Sequence, residues 1–163
     1  MFNLRRSFAI VASLALVSLP AQAQSWGATT DPQKLPDNTS YCMLWQGEAL
    51  PLMNFMATPT GVKYVVVTDA FDDVQAGTPV SFDFGDGTSV PVAPATKPKP
   101  VEHPGFISGN VSEEALSTVL TRMSLGSYGE APMTVTAGQK TQDFHLRSVA
   151  GDSALFQSCK DKL

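Results

Sequence analysis

The side chains best suited to proton transfer occupy alternate positions near the end of the chain. Asp143, His145 and Arg147 flank the apolar residues Phe144 and Leu146, an alternation typical of a strand that shows one face to solvent. A histidine beside a carboxylate can act as an acid–base pair near neutral pH. Asp143 and His145 are therefore the candidate catalytic residues of a hydrolase, although an exposed strand face of mixed charge explains the pattern equally well.

Five aspartates surround two predicted turns, where carboxylate oxygens are possible calcium ligands. They are Asp69, Asp72, Asp73, Asp83 and Asp86. Their spacing departs from the D-x-[DN]-x-[DN]-G pattern of a calcium-binding loop, and solvated turn carboxylates account for them more simply. The sequence also lacks G-x-S-x-G, S-x-x-K, H-E-x-x-H, P-loop and dinucleotide-binding motifs. We therefore expect no metal ion and no cofactor.

The two cysteines, Cys42 and Cys159, lie near opposite ends of the chain. In an oxidising compartment such a pair is most simply one disulfide, which here would join the first strand to the last helix. The alternatives are two free thiols or a metal site, and for a metal site only His103 and His145 could add imidazole ligands.

The N-terminus has the pattern of an export signal over residues 1–23. Arg5 and Arg6 precede an apolar run of 12 residues at 8–19, and Ala21 and Ala23 form an A-x-A cleavage site. The run is too short to span a bilayer, which takes roughly 20 residues. We expect cleavage before Gln24, no membrane span afterwards, and a periplasmic or secreted protein.

Cleavage would leave 140 residues, enough for one domain. The whole chain has 11 basic and 15 acidic residues, and loss of the two signal arginines would change the net charge from −4 to −6. Phosphate neutralisation supplies most of the affinity for nucleic acids, so an acidic chain of this kind is predicted to bind neither nucleic acid nor anionic lipid surfaces.

The first half of the chain is predicted to form strands after an extended lead-in at residues 24–40. Residues 41–46 form a first predicted strand, and residues 50–56 form an apolar run that Pro51 restricts to an edge or irregular position. Residues 63–68, with three consecutive valines, predict a central strand buried on both faces. A hairpin is predicted over residues 78–92, with its turn at 85–87.

The second half begins with a proline-rich crossover at residues 93–104. A helix is predicted from Asn110, with an apolar stripe at Leu116, Val119, Leu120 and Met123. Two strands follow at 132–136 and 141–146, and a last helix starts near Asp152 with Leu155, Phe156 and Cys159 facing inward. The predicted fold is a single α+β domain over residues 41–163. It is a mostly antiparallel β sheet or sandwich with one packed helix and a short C-terminal helix, closed by a disulfide.

The candidate binding surface combines the predicted edge at residues 50–56 with the acidic turn. Its residues are Met53, Phe55, Met56, Asp72 and Asp73. Methionines also fill irregular gaps in protein cores, so a core position for Met53 and Met56 is the alternative.

The order of these segments resembles the invasion-associated locus B family of small exported bacterial proteins. The shared layout has a signal peptide and an early strand with a cysteine, followed by motifs that run from a central hairpin to the last helix. In this sequence those motifs are residues 77–84, Glu114 to Leu116 with Met123, residues 133–135 and 144–146, Ala154 to Phe156, and Cys159. The resemblance implies a non-enzymatic periplasmic or secreted β-rich module, in some members tied to envelope stress or host contact.

The function expected from the sequence is therefore a non-catalytic exported binding or envelope-accessory protein. Its partner is expected to be an envelope or secreted protein, and the sequence specifies neither the ligand nor the oligomeric state. Two alternatives stay open: an exported hydrolase that uses His145 and Asp143, and an inhibitor or immunity-type protein that blocks a partner enzyme with its loops.

Overall fold

In the computed structural model, which describes residues 25–99 and 103–163, ten strands form two antiparallel sheets and two helices complete the fold. The strands are β1 Trp26–Ala28, β2 Gln33–Lys34, β3 Ser40–Gln46, β4 Leu52–Thr58, β5 Gly61–Val67, β6 Val80–Asp83, β7 Ser89–Val92, β8 Phe106–Val111, β9 Met133–Ala137 and β10 Lys140–Phe144. The helices are α1 Glu113–Gly126 and α2 Val149–Lys160. The predicted α+β class is confirmed. The predicted signal peptide at residues 1–23 lies outside the described residues.

The large sheet has the strand order β1-β3-β4-β5-β8, and β2 pairs with the start of β3. The pairing aligns inward-facing residues in rows across the strands, for example Leu44, Phe55 and Tyr64. All three side chains are fully buried. The residues between them point to the opposite face, because successive side chains of a strand alternate.

The small sheet has the order β10-β9-β6-β7. The predicted hairpin at its edge is confirmed as the β6–β7 pair. Gly85 and Gly87 have φ values of 72° and 85° in its turn, a left-handed conformation that glycine adopts without the steric cost of a Cβ.

The core lies between the two sheets and centres on Phe82 of the small sheet. Its ring makes edge-to-face contacts with Phe55 and Tyr64 of the large sheet, each with ring centroids 5.6 Å apart. Such aromatic pairs stabilise by about 0.5–1.5 kcal/mol beyond the area they bury. The Tyr64 hydroxyl donates a hydrogen bond to the Ala93 carbonyl at 3.1 Å, which satisfies the one polar atom of this aromatic cluster.

Helix α1 starts later than predicted, because residues 110 and 111 complete β8. Ser112 is the N-cap, and its hydroxyl accepts a hydrogen bond from the Ala115 amide at 3.2 Å. The predicted apolar stripe is confirmed: its four members, Leu116, Val119, Leu120 and Met123, are all buried.

Helix α2 starts at Val149 rather than near Asp152. Phe156 and Cys159 face the core as predicted, but Leu155 is 43% exposed. The predicted disulfide is present: Cys159 is bonded to Cys42 of β3, with a Cα–Cα distance of 5.9 Å, inside the range that a disulfide requires.

Two predictions about strand positions were wrong or incomplete. Strand β4 lies between β3 and β5 in the sheet rather than at an edge, because Pro51 precedes the first paired residue and removes no ladder hydrogen bond. The predicted lead-in contributes β1 and β2, both paired with β3. The described part of the proline-rich crossover bridges the sheets: the Ala95 amide donates to Thr78, and Thr96 pairs with Ser108 of β8.

Candidate functional site

The structure places both residues of the predicted acid–base pair, Asp143 and His145, on the surface near the end of β10. Asp143 is exposed, and one of its carboxylate oxygens accepts a hydrogen bond from the Thr134 hydroxyl at 2.6 Å. The His145 side chain is also exposed, while its backbone carbonyl accepts hydrogen bonds from Trp26 and Gln46 at 2.6 Å each. Within residues 25–99 and 103–163, no ion pair joins His145 to Asp143. The role that the geometry gives to this segment is to tie β1 and β3 to the start of α2.

The five aspartates considered for calcium do not converge on one point. Asp83 and Asp86 belong to the β6–β7 hairpin of the small sheet, where Asp86 forms an ion pair with Arg122 at 2.8 Å. The exposed Asp73 carboxylate lies 3.8 Å from the Lys140 ammonium. Asp69 and Asp72 lie at the other end of the connection between β5 and β6, so the sequence cluster is not a cluster in space.

Asp69 and Asp72 do approach the imidazole of His103, and one ligand atom from each residue lies within 4.8 Å of the others. The Gly105 amide donates to His103 Nδ1 at 3.0 Å, so in the neutral ring Nε2 holds the proton and faces Asp69 at 3.5 Å. A histidine binds a metal through the free lone pair of one ring nitrogen, and in His103 the lone pair of Nδ1 is taken by the Gly105 amide. The arrangement therefore fits a histidine–aspartate contact better than a metal site.

Of the predicted surface residues near Pro51, two are in the core. Met53 and Phe55 are 1% and 0% exposed because they face the small sheet, and this corrects their assignment to a binding surface. Met56 points the opposite way and is half-buried. Asp72 and Asp73 are exposed as predicted, but they lie on the acidic connection and not beside Met56.

Met56 belongs to a broad apolar surface on the outer side of the large sheet. We call this surface the open sheet face and define it by eleven outward residues of β3, β4, β5 and β8. They are Met43, Trp45, Leu52, Asn54, Met56, Lys63, Val65, Val67, Phe106, Ser108 and Asn110. Seven of these residues are apolar and all seven are half-buried, whereas the small sheet and the disulfide contact the inner side.

The open sheet face is continuous from strand to strand. Trp45 lies opposite Asn54, which lies opposite Val65, and the Leu52–Val67–Phe106 row follows one step along. The Trp45 ring packs against Gly27, where an added Cβ would come within 2.7 Å of the indole. Gly27 thus lets the ring extend the apolar surface to the sheet edge. A continuous apolar surface rimmed by polar residues is typical of an interaction site.

A second depression runs between the two antiparallel helices. This helix groove has a volume of about 750 Å³ and is lined by small or hydroxyl side chains such as Ser117, Thr121 and Ala154. At one end Leu125 and Tyr128 are 64% and 90% exposed. The groove offers apolar contact from its leucines and Tyr128 among several hydroxyl side chains.

The site and the fold together define a two-sheet, disulfide-closed α+β protein with a large apolar sheet face. Comparisons with protein-family models, curated proteins and solved structures gave no match. The resemblance to the invasion-associated locus B family therefore stays a prediction. Among the described residues, no helix is long and apolar enough to cross a membrane.

Proposed function

We propose that this chain is a non-catalytic, exported binding protein of the bacterial envelope that holds its partner against the open sheet face. The observation that carries the proposal is the run of seven half-buried apolar side chains on the outer side of the large sheet. Covering such side chains stabilises a complex, since apolar surface removed from water contributes roughly 25 cal/mol per Å².

Export is supported by the N-terminal sequence pattern and by the disulfide, which persists in oxidising compartments. A non-catalytic role is supported by the exposure of His145 and Asp143, which form no ion pair with each other among the described residues. Neither His145 nor Asp143 lines the helix groove or the two smaller cavities beside Lys63. The layout shared with the invasion-associated locus B family favours the same kind of function.

The test compares charged substitutions on three surfaces. Val65→Glu places a carboxylate in the middle of the open sheet face, Leu125→Glu places one in the helix groove, and Thr141→Glu places one on the exposed side of the small sheet. Each variant is checked for folding by urea denaturation, and captured envelope components are identified by mass spectrometry.

We expect an identified component to be retained by the wild type, Leu125→Glu and Thr141→Glu, and to be lost with Val65→Glu. If Val65→Glu folds and still retains every component, the open sheet face is not the binding site. If Leu125→Glu alone abolishes capture, the helix groove takes its place.

A further inference from the structure

One end of the open sheet face is polar and positively charged. Lys63 of β5 lies directly opposite Met56 on one neighbouring strand and Asn110 on the other. It is the single charged residue in the set that defines this face. Among the ion pairs of the described residues, none involves Lys63. Its ammonium group is therefore available to an anion from outside the chain.

Two cavities meet at Lys63 and Asn110. One has a volume of about 420 Å³ and adds the hydroxyls of Thr58 and Thr60 to its lining. The other has a volume of about 210 Å³ and adds Ser108. The Lys63 ammonium and the Asn110 amide line this concave surface and can donate hydrogen bonds to a carboxylate. The hydroxyls of Thr58 and Thr60 are bonded to each other, and that of Ser108 is bonded to Thr96.

The apolar part of the face continues from this polar end along β5. Val65 and Val67 follow Lys63 on the same side of the strand, and Val67 is flanked by Leu52 and Phe106. The four steps along the strand from Lys63 to Val67 span about 13 Å. A ligand that extends from Lys63 to Val67 therefore needs an apolar tail of about this length behind its charged group.

The net charge of the protein favours a single amphiphilic molecule over a membrane surface as the ligand. The whole chain has a net charge of −4, and a planar anionic bilayer repels an acidic body over a Debye length of about 8–10 Å. One carboxylate placed on Lys63 experiences mainly the local ammonium. The charge pattern therefore favours a monomeric ligand.

We propose that the open sheet face binds a long-chain carboxylate, with its head group on Lys63 and Asn110 and its tail over Val65 and Val67. The proposal rests on the proposed binding function and names its ligand class. Head and tail are recognised by different residues, so they can be tested separately.

The experiment follows dodecanoate binding by Trp45 fluorescence, with the oxidised protein and with ligand below its micelle concentration. Trp45 lies on the open sheet face, whereas Trp26 faces inward and is 7% exposed, so a saturable change reports on this face. Dodecanol is the uncharged comparison ligand. Trp45→Phe, followed by calorimetry, shows whether the optical signal comes from Trp45.

We expect Lys63→Met to weaken dodecanoate binding roughly two- to five-fold, the range of an exposed ion pair, and to leave dodecanol binding unchanged. Val65→Ser is expected to weaken both ligands. Lys140→Met, at the edge of the small sheet, is the matched control and should change neither.

Three results would overturn the ligand assignment. The first is the absence of saturable dodecanoate binding, and the second is an equal loss of affinity for dodecanoate and dodecanol with Lys63→Met. The third is a wild-type dimer in sedimentation that Val65→Glu converts to a monomer, since a second copy of the chain would then occupy the face. The proposed function fails separately: it is refuted when Val65→Glu leaves capture of envelope components intact, whatever dodecanoate does.

Discussion

The outer faces of the two sheets have opposite chemistry. The open sheet face of the large sheet is mainly apolar, whereas the outer face of the small sheet consists of serine, threonine and aspartate with one proline. We call the second surface the hydroxyl face; its residues are Ser81, Asp83, Ser89, Pro91, Thr134, Thr136, Thr141 and Asp143. Both surfaces belong to antiparallel sheets that share one core, so the contrast arises from the outward positions alone.

The difference shows which of the two surfaces would be stabilised by contact with a partner. On the hydroxyl face the side chains satisfy one another: Asp83 accepts hydrogen bonds from Ser81 and from Thr136, the latter at 2.7 Å. Burial alone would raise the pKa of Asp83, but hydrogen bonds from Ser89, Thr136 and Ser81 outweigh it and lower that pKa. Apolar side chains cannot satisfy one another by hydrogen bonding. Their unfavourable exposure to water is removed only when another surface covers them.

The largest predicted effect tests whether the two faces depend on one core. Phe82→Ala removes the ring that joins the sheets and should lower the free energy of unfolding by about 3–5 kcal/mol. Urea denaturation followed by the fluorescence of Trp26 and Trp45, both in the large sheet, and by far-UV circular dichroism should give one coincident transition at lower urea. Phe82→Leu is the milder control. Separate transitions for the two probes would mean that the sheets unfold independently.

The next effect concerns the covalent link on the inner side of the large sheet. Removing the disulfide with Cys42→Ala and Cys159→Ala should lower the unfolding free energy by about 2–4 kcal/mol. Reduced wild-type protein should lose a similar amount in the same measurement. An unchanged midpoint in both samples would contradict a stabilising role for the bond.

A smaller effect distinguishes the two outer faces directly. Thr136→Val removes a hydrogen bond to Asp83 and should cost about 1 kcal/mol. Asn54→Val, a polar-to-apolar change on the open sheet face, should stay within about 0.5 kcal/mol of the wild type. Thermal unfolding of both variants measures the contrast, which would disappear if the two changes cost the same.

The smallest effect is a pH dependence on the hydroxyl face. Because the folded pKa of Asp83 is lowered, its contribution to stability is complete above the unfolded value of about 3.9 and is lost as pH falls through the folded value. The carboxylate is largely solvated, so the contribution should stay below about 1 kcal/mol. The stability difference between the wild type and Asp83→Asn should shrink below pH 4; a difference independent of pH would contradict this assignment.

Local sequence patterns were sufficient for much of the fold. The turn with Gly85 and Gly87 predicts its hairpin because only nearby residues determine it, and the apolar stripe of α1 is likewise visible in the sequence. The disulfide follows from the presence of only two cysteines. Strand β1 was missed because Trp26 is fixed by the His145 carbonyl, 119 residues away, and no local pattern encodes that contact.

The binding surface was harder to predict than the fold, because a sequence shows which residues are apolar but not which sheet face is covered. Three consecutive valines predicted burial on both faces of β5. In the structure Val66 is fully buried, whereas Val65 and Val67 are only half-buried. The prediction that Pro51 keeps β4 at a sheet edge failed for a similar reason, because the place of β4 in the sheet depends on the strands that pair with it on both sides. Alternation within β4 does separate Met56 from Met53 and Phe55, but only the fold shows which set points outward.

The bond between Cys42 and Cys159 also determines how the protein responds to mechanical load. It closes a covalent loop with a sequence separation of 117 residues, so tension applied from outside the loop is carried by the bond and not by the strands and helices between the two cysteines. After reduction, the same tension acts on the folded segment, and pulling that segment apart would expose roughly 400 Å of contour length, at about 3.4 Å per residue. The oxidised protein therefore limits its own extension under load, whereas the reduced protein depends on its noncovalent fold to do so.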